Sequence, residues 1–184
     1  KININSDNIN NTNKLVAKDT LDISNKILTN SGKIYSGNKT KIVNQKINNL
    51  GDITSSGKID INSTDIESNN ILANGDISIN TKELKLKGKI YSDKNVSLIS
   101  NNIENNELTA KNLKIVTDSL NNNTKIATTA NMDITAKNLV NKGMIYSTGK
   151  NDLKVTDLRN NGNILSVGNI NISQNKNLIN SGKI

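Results

Sequence analysis

Cysteine, histidine, proline, phenylalanine and tryptophan are all missing from this 184-residue chain, and its only aromatic rings are three tyrosines. Without thiols or imidazoles there is no thiol nucleophile, imidazole base, zinc site or iron–sulfur site, and no disulfide framework. No run of 18 apolar residues occurs, so no membrane-spanning helix is expected. The scarcity of rings also argues against an ordinary globular core, which uses aromatics because each buries a large area. No signal-peptide pattern opens the chain, and both ends fall inside a repeat, at Lys1-Ile2-Asn3-Ile4 and at Ser181-Gly182-Lys183-Ile184. The expectation is a segment excised from a longer chain.

What the chain does contain is narrow in kind. Isoleucine, leucine and valine number 27, 16 and 7, too many for a disordered chain. Asparagine occurs 38 times, and the net charge of +8 rests on lysine, with Arg159 the single arginine.

These residues recur with a period. The pattern Leu28-Thr29-Asn30-Ser31-Gly32-Lys33-Ile34-Tyr35-Ser36 returns as Leu139-Val140-Asn141-Lys142-Gly143-Met144-Ile145-Tyr146-Ser147. Its first apolar position recurs at Ile9, Leu28, Ile47, Ile66, Leu84, Ile103, Leu120, Leu139, Leu158 and Leu178, spaced by 17 to 20 residues. Its seventh position gives Leu15, Ile34, Ile53, Leu72, Ile90, Leu108, Ile126, Ile145, Ile164 and Ile184. A third ladder reads Ile4, Ile23, Ile42, Ile61, Ile79, Leu98, Ile115, Ile134, Val155 and Ile172. Ten tandem units of 18–20 residues therefore fill residues 1–184 as one repeat segment.

Inside each unit apolar and polar residues alternate, as in Leu21-Asp22-Ile23 and Ile170-Asn171-Ile172. Period two is the strand signal, and no segment carries a helical period. Three short strands per unit that repeat identically form parallel sheets if the chain winds as a coil, each turn about 4.8 Å from the next. The fold class expected is all-β: a right-handed, three-sided parallel β-helix of about ten coils, a rod roughly 48 Å long at that spacing. Rings would not stack at such a repeat, whereas isoleucine and leucine do. The third motif position stacks Asn11, Asn30, Asn49, Asn105, Asn122, Asn141, Asn160 and Asn180, and amides can ladder along the axis. Two residues on, a column of Gly32, Gly51, Gly88, Gly143, Gly162 and Gly182, with Asn13 and Asn70, is expected where φ is positive. Proline would interrupt the ladder of backbone bonds, and it is absent.

Leu50-Gly51-Asp52-Ile53-Thr54-Ser55-Ser56-Gly57-Lys58-Ile59-Asp60-Ile61, Gly32-Lys33-Ile34-Tyr35-Ser36 and Asn161-Gly162-Asn163-Ile164-Leu165-Ser166 resemble the filamentous haemagglutinin repeat of bacterial two-partner-secretion exoproteins. The resemblance covers essentially the whole chain. It implies a right-handed β-helical stalk, secreted or held on the outer cell surface, within an adhesin, haemolysin or contact-dependent inhibition effector. It also implies an outer-membrane transporter as partner during secretion, and a receptor on a host cell or neighbouring bacterium. The family's secretion domain and effector regions have no counterpart in these residues. Calcium-binding nonapeptide arrays, leucine-rich repeats and ice-binding solenoids fit worse: Gly-Gly-x-Gly-x-Asp never occurs, the unit is too short for a leucine-rich repeat, and no column is dominated by threonine.

Candidate sites are few. Tyr35, Tyr91 and Tyr146 follow the inward isoleucine of one motif and are expected to point outward, in a column read as Tyr35, Thr54, Ala73, Tyr91, Thr109, Ala127, Tyr146. They either mark duplication of a three-coil block or form a stripe of aromatic platforms about 14 Å apart for a glycan or protein partner. A second outward column, Asp22, Lys41, Asp60, Ser78, Ser97, Lys114, Asp133, Lys154, alternates in charge and reads as a solvated face. Nucleic acid is not an expected partner, since arginine is nearly absent and no rings interleave the lysines. Asp65 and Glu83 occupy one column on successive coils, the separation of a retaining glycosidase pair on distance alone. Lys46 precedes them and Asn102 follows, and a tolerated exposed pair is the preferred reading. No enzyme, cofactor, metal site or membrane insertion is expected. The function expected is a rigid stalk displaying distal modules; the alternative is an adhesive segment using Tyr35, Tyr91 and Tyr146. A stalk should lack any cleft approaching a few hundred cubic ångströms.

Overall fold

The computed structural model describes the backbone of residues 1–184 and every side chain except that of Asn175. Among the described residues there are twenty strands, from Ile2–Asn5 to Ile170–Asn180, and no helix. Every strand pairing is parallel, and partners lie one repeat apart along the chain. The chain is a parallel β-solenoid of about nine turns rather than ten, because ten ladder positions span nine inter-coil steps.

The first ladder pairs as the spacing requires, from Ile9 opposite Leu28 through to Leu158 opposite Leu178. Leu28, Ile47, Ile66 and Leu120 are fully buried within one continuous core. Each such side chain contributes about 1.5–3 kcal/mol relative to exposure, and like shapes stack on one another from coil to coil.

Two ladder assignments are corrected. In the seventh-position ladder Ile71, not Leu72, stacks between Ile53 and Ile90. Three residues separate Asn49 from Ile53, but only Asn69 and Asn70 separate Ser68 from Ile71, and the register shifts there. Losing one residue inverts the inward–outward parity of the next strand positions, so Ile71 turns in and Leu72 turns out. In the third ladder Leu153, not Val155, stacks on Ile134 and under Ile172. Both face inward, so alternation alone does not separate them; Val155 instead follows Ala136 at the adjoining bend. Asp152, not Lys154, consequently continues the charged column beyond Asp133.

Three polar inward columns recur from coil to coil, each at a bend between successive short strands. At the first, Asn11 Nδ2 donates to Asn30 Oδ1 at 2.6 Å, and Asn30 Nδ2 to Asn49 Oδ1 at 2.6 Å. Ser68 and Leu86 interrupt this ladder; it resumes from Asn105 through Asn122, Asn141 and Asn160 to Asn180 at 2.7–2.8 Å. The same amides tie down the bend, as when Asn141 Nδ2 also donates to the Asn163 carbonyl at 3.1 Å. Serine dominates the second bend, where Ser36 and Ser55 share a hydrogen bond of 2.9 Å. At the third, Ser63, Thr81, Ser100 and Thr117 donate to the carbonyl two residues ahead. Buried polar groups are thus used where the backbone turns and exposes carbonyls.

The glycine column has a different cause from the one expected. No described residue has a φ in the left-handed region. A Cβ at Gly51 would instead stand 1.9 Å from the carbonyl oxygen of Gly32 in the coil before, and one at Gly162 would stand 1.9 Å from that of Gly143. Glycine is required by the close approach of one coil's backbone to the next.

Candidate functional site

The strand Lys33–Ser36 holds Ile34 inward and Tyr35 outward, and Lys89–Ser92 and Met144–Ser147 repeat that arrangement for Tyr91 and Tyr146. The column they share reads Val16, Tyr35, Thr54, Leu72, Tyr91, Thr109, Ala127, Tyr146, Leu165. Ala73 is not in it: the short coil turns Ala73 inward against Ser55 and Ser92, so the Tyr-Thr-Ala order does not repeat. The three rings lie three coils apart, about 14 Å by the strand spacing. Tyr91 is the most open, at 41% exposure, while Tyr35 and Tyr146 are half-buried. Lys33 Nζ sits 5.6 Å from the Tyr35 ring centroid, a cation–π distance. The Tyr35 hydroxyl bonds Ser56 Oγ at 2.8 Å, and the Tyr91 hydroxyl donates to the Asp93 carboxylate. That bond and the negative charge of Asp93 push the Tyr91 phenol above its ordinary range.

Asp65 and Glu83 do pair directly, with Lys46 before and Asn102 after them. Each has a partner of its own. Lys46 Nζ lies 3.8 Å from Asp65 Oδ2, and Asn102 Nδ2 donates to Glu83 Oε1 at 2.7 Å. In the neighbouring column Glu67 is held below the usual carboxylate range by a hydrogen bond from Lys87 and by its charge. A general acid needs the opposite shift. Among the described residues no group of three acidic side chains is placed to hold a metal ion.

The expectation of no cleft approaching a few hundred cubic ångströms is not met. A depression of about 420 Å³ lies beside Asp65 and Glu83, with Leu84 and Ile103 beneath it. All its polar side chains are exposed or half-buried, so it is a gap between side chains on a sheet face.

A longer concavity runs along the third bend. Two contiguous depressions of about 510 Å³ each share Val116, Thr117 and Asp118 and together run parallel to the solenoid axis. Their floor is the buried column of Ser63, Thr81, Ser100, Thr117, Ala136 and Val155. One wall carries Asn62, Asn80, Ile99 and Val116 in register, and the other carries Thr64, Lys82 and Asn101. Ile99 is 50% exposed and Val116 37%. At one end Asn44 lines the groove, but its amide turns away from it: both amide atoms are buried from solvent and, among the described residues, have no hydrogen-bond partner.

Sequence reasoning missed this groove. The available signal was the doublets Ile42-Val43, Leu98-Ile99 and Ile115-Val116, where alternation calls for a polar second residue. Comparison with protein-family models, with curated proteins and with solved structures finds no match to this chain.

Proposed function

We propose that the chain is a rigid spacer: a stalk segment of a secreted bacterial surface exoprotein that holds an adhesive or effector module away from the cell. The observation that carries this reading is the unbroken first ladder, from Ile9 to Leu178, in which every coil sits directly on the one before. Coils of nearly constant length give a constant cross-section and a reach proportional to coil number. The three ladders and three polar bends per turn favour a three-sided section, and the strong preference for right-handed parallel crossovers favours right-handed winding. The resemblance of the repeats to filamentous haemagglutinin supplies the surface location, the outer-membrane transporter and the distant receptor.

A second reading has its own support. Tyr35, Tyr91 and Tyr146 share one outward column, which would let the segment itself hold a glycan or protein. Binding of the isolated chain to host cells and glycans separates the two. A stalk gives no binding that depends on the three tyrosines; binding abolished by changing the three tyrosines to serine would replace the stalk with the adhesive reading.

A further inference from the structure

We propose that the axial groove along the third bend is a binding cleft for a neutral, linear oligosaccharide, independent of the tyrosine column. The groove's shape argues for a linear ligand. Its floor runs six coil steps from Asn44 to Val155, roughly 29 Å at about 4.8 Å per step, and it presents equivalent positions at each step. A linear glycan also offers one similar unit after another, advancing by about one strand spacing per ring.

The chemistry of the walls selects among linear polymers. An extended peptide would seek unpaired backbone groups on a strand edge. Here those groups are taken: Lys82 N donates to Thr64 O, Asn101 N to Lys82 O, and Thr81 N to Ile99 O, at 3.0 Å each. A uniformly charged polymer would need a cation at every step. The walls instead carry amides at Asn62, Asn80 and Asn101, aliphatics at Ile99 and Val116, and scattered charges: Lys82, Lys154, and a Lys137–Asp118 ion pair at 2.8 Å. Sugar hydroxyls both donate and accept, and the exposed amides of Asn62, Asn80 and Asn101 do the same. Ile99 and Val116 form an adjacent aliphatic pair against which the C–H face of a ring can lie. Cleft sites of this volume with a few convergent polar groups are the usual form of ligand sites.

The test is titration of the whole chain with neutral β-1,4-glucan and α-1,4-glucan oligomers of two to eight units, read by NMR of the asparagine side-chain amides. One series should shift Asn62, Asn80 and Asn101 and tighten with length up to about six units, the number of coil steps in the groove. The exposed pair of changes Asn80→Ala and Asn101→Ala should weaken binding at least tenfold without altering the spectrum elsewhere, and Tyr91→Ser should leave it unchanged. The proposal is overturned if neither series shifts those amides, if affinity does not grow with length, if an acidic oligosaccharide or an extended peptide binds in preference, or if Tyr91→Ser removes binding.

Discussion

Gly51→Ala should destabilise the solenoid, although alanine is the better residue wherever both fit. The added Cβ would stand 1.9 Å from the Gly32 carbonyl oxygen and 2.9 Å from its carbon, where real Cβ contacts stay beyond 3.0 Å. The two coils must therefore part locally by about 1.1 Å. That separation pulls on the Asp52 N to Gly32 O bond of 3.0 Å, and on the Asn30 amide bonds to Asn49 and to the Asp52 carbonyl. Overpacking against backbone costs about 1–3 kcal/mol and each weakened hydrogen bond up to about 1 kcal/mol; the entropic gain of a compatible Gly→Ala change offsets only about 0.4–1 kcal/mol of this. The net loss should be about 2–4 kcal/mol on those figures, read as a lower urea midpoint at unchanged slope. Asn13 occupies the same column in the first coil, and Asn13→Ala should change stability by less than about 0.5 kcal/mol. A Gly51→Ala protein as stable as the parent would refute the argument that inter-coil approach, rather than φ, demands glycine.

Asn141→Ala should cost about 2–4 kcal/mol in thermal or urea unfolding, because it strands the Asn160 amide oxygen in the core, leaves the Asn122 amide nitrogen only its bond to the Met144 carbonyl, and removes the donor to the Asn163 carbonyl. Asn151 is fully buried between Met132 and Ile170, with both amide atoms unpartnered among the described residues; Asn151→Leu should raise stability by about 1 kcal/mol, and a loss would show a partner there. Asp152 is held below its ordinary 3.8 chiefly by the hydrogen bond from Lys150, then by that from Asn171. Its folded value lies below the unfolded one, so its contribution is present above pH 3.8 and lost as pH falls through the folded value. Asp152→Asn should lower the urea midpoint at neutral pH, and the difference should vanish in strong acid.

The first ladder was legible because Leu or Ile two residues before Asn marks the same point of nearly every coil, and both residue types are held there by stacking on their own kind. Legibility failed where two aliphatics compete for one inward position. Ile71 and Leu72 are adjacent, and only the two-residue bend at Asn69 and Asn70 decides which turns in. Leu153 and Val155 both face inward, and only the 19-residue distance from Ile134 decides which stacks. The tyrosine column survived these slips because each ring comes directly after an isoleucine whose own place is secure. The cause of the glycine column was not legible, and of the axial groove only the aliphatic doublets on its wall were. Both arise between coils or from the curvature of a bend, in contacts that no single repeat contains.

The most direct test of the stacked-spacer account is a pair of spin labels on one outward column, which the absence of native cysteine makes clean. Lys41→Cys and Asp133→Cys lie five coil steps apart, through Asp60, Ser78, Ser97 and Lys114, a separation of about 24 Å at the strand spacing. Pulsed dipolar spectroscopy should give one narrow distance near that value, lengthening by about 5 Å when one further repeat unit is inserted between the labels. A broad distribution, or a distance that does not grow with the added coil, would contradict the account.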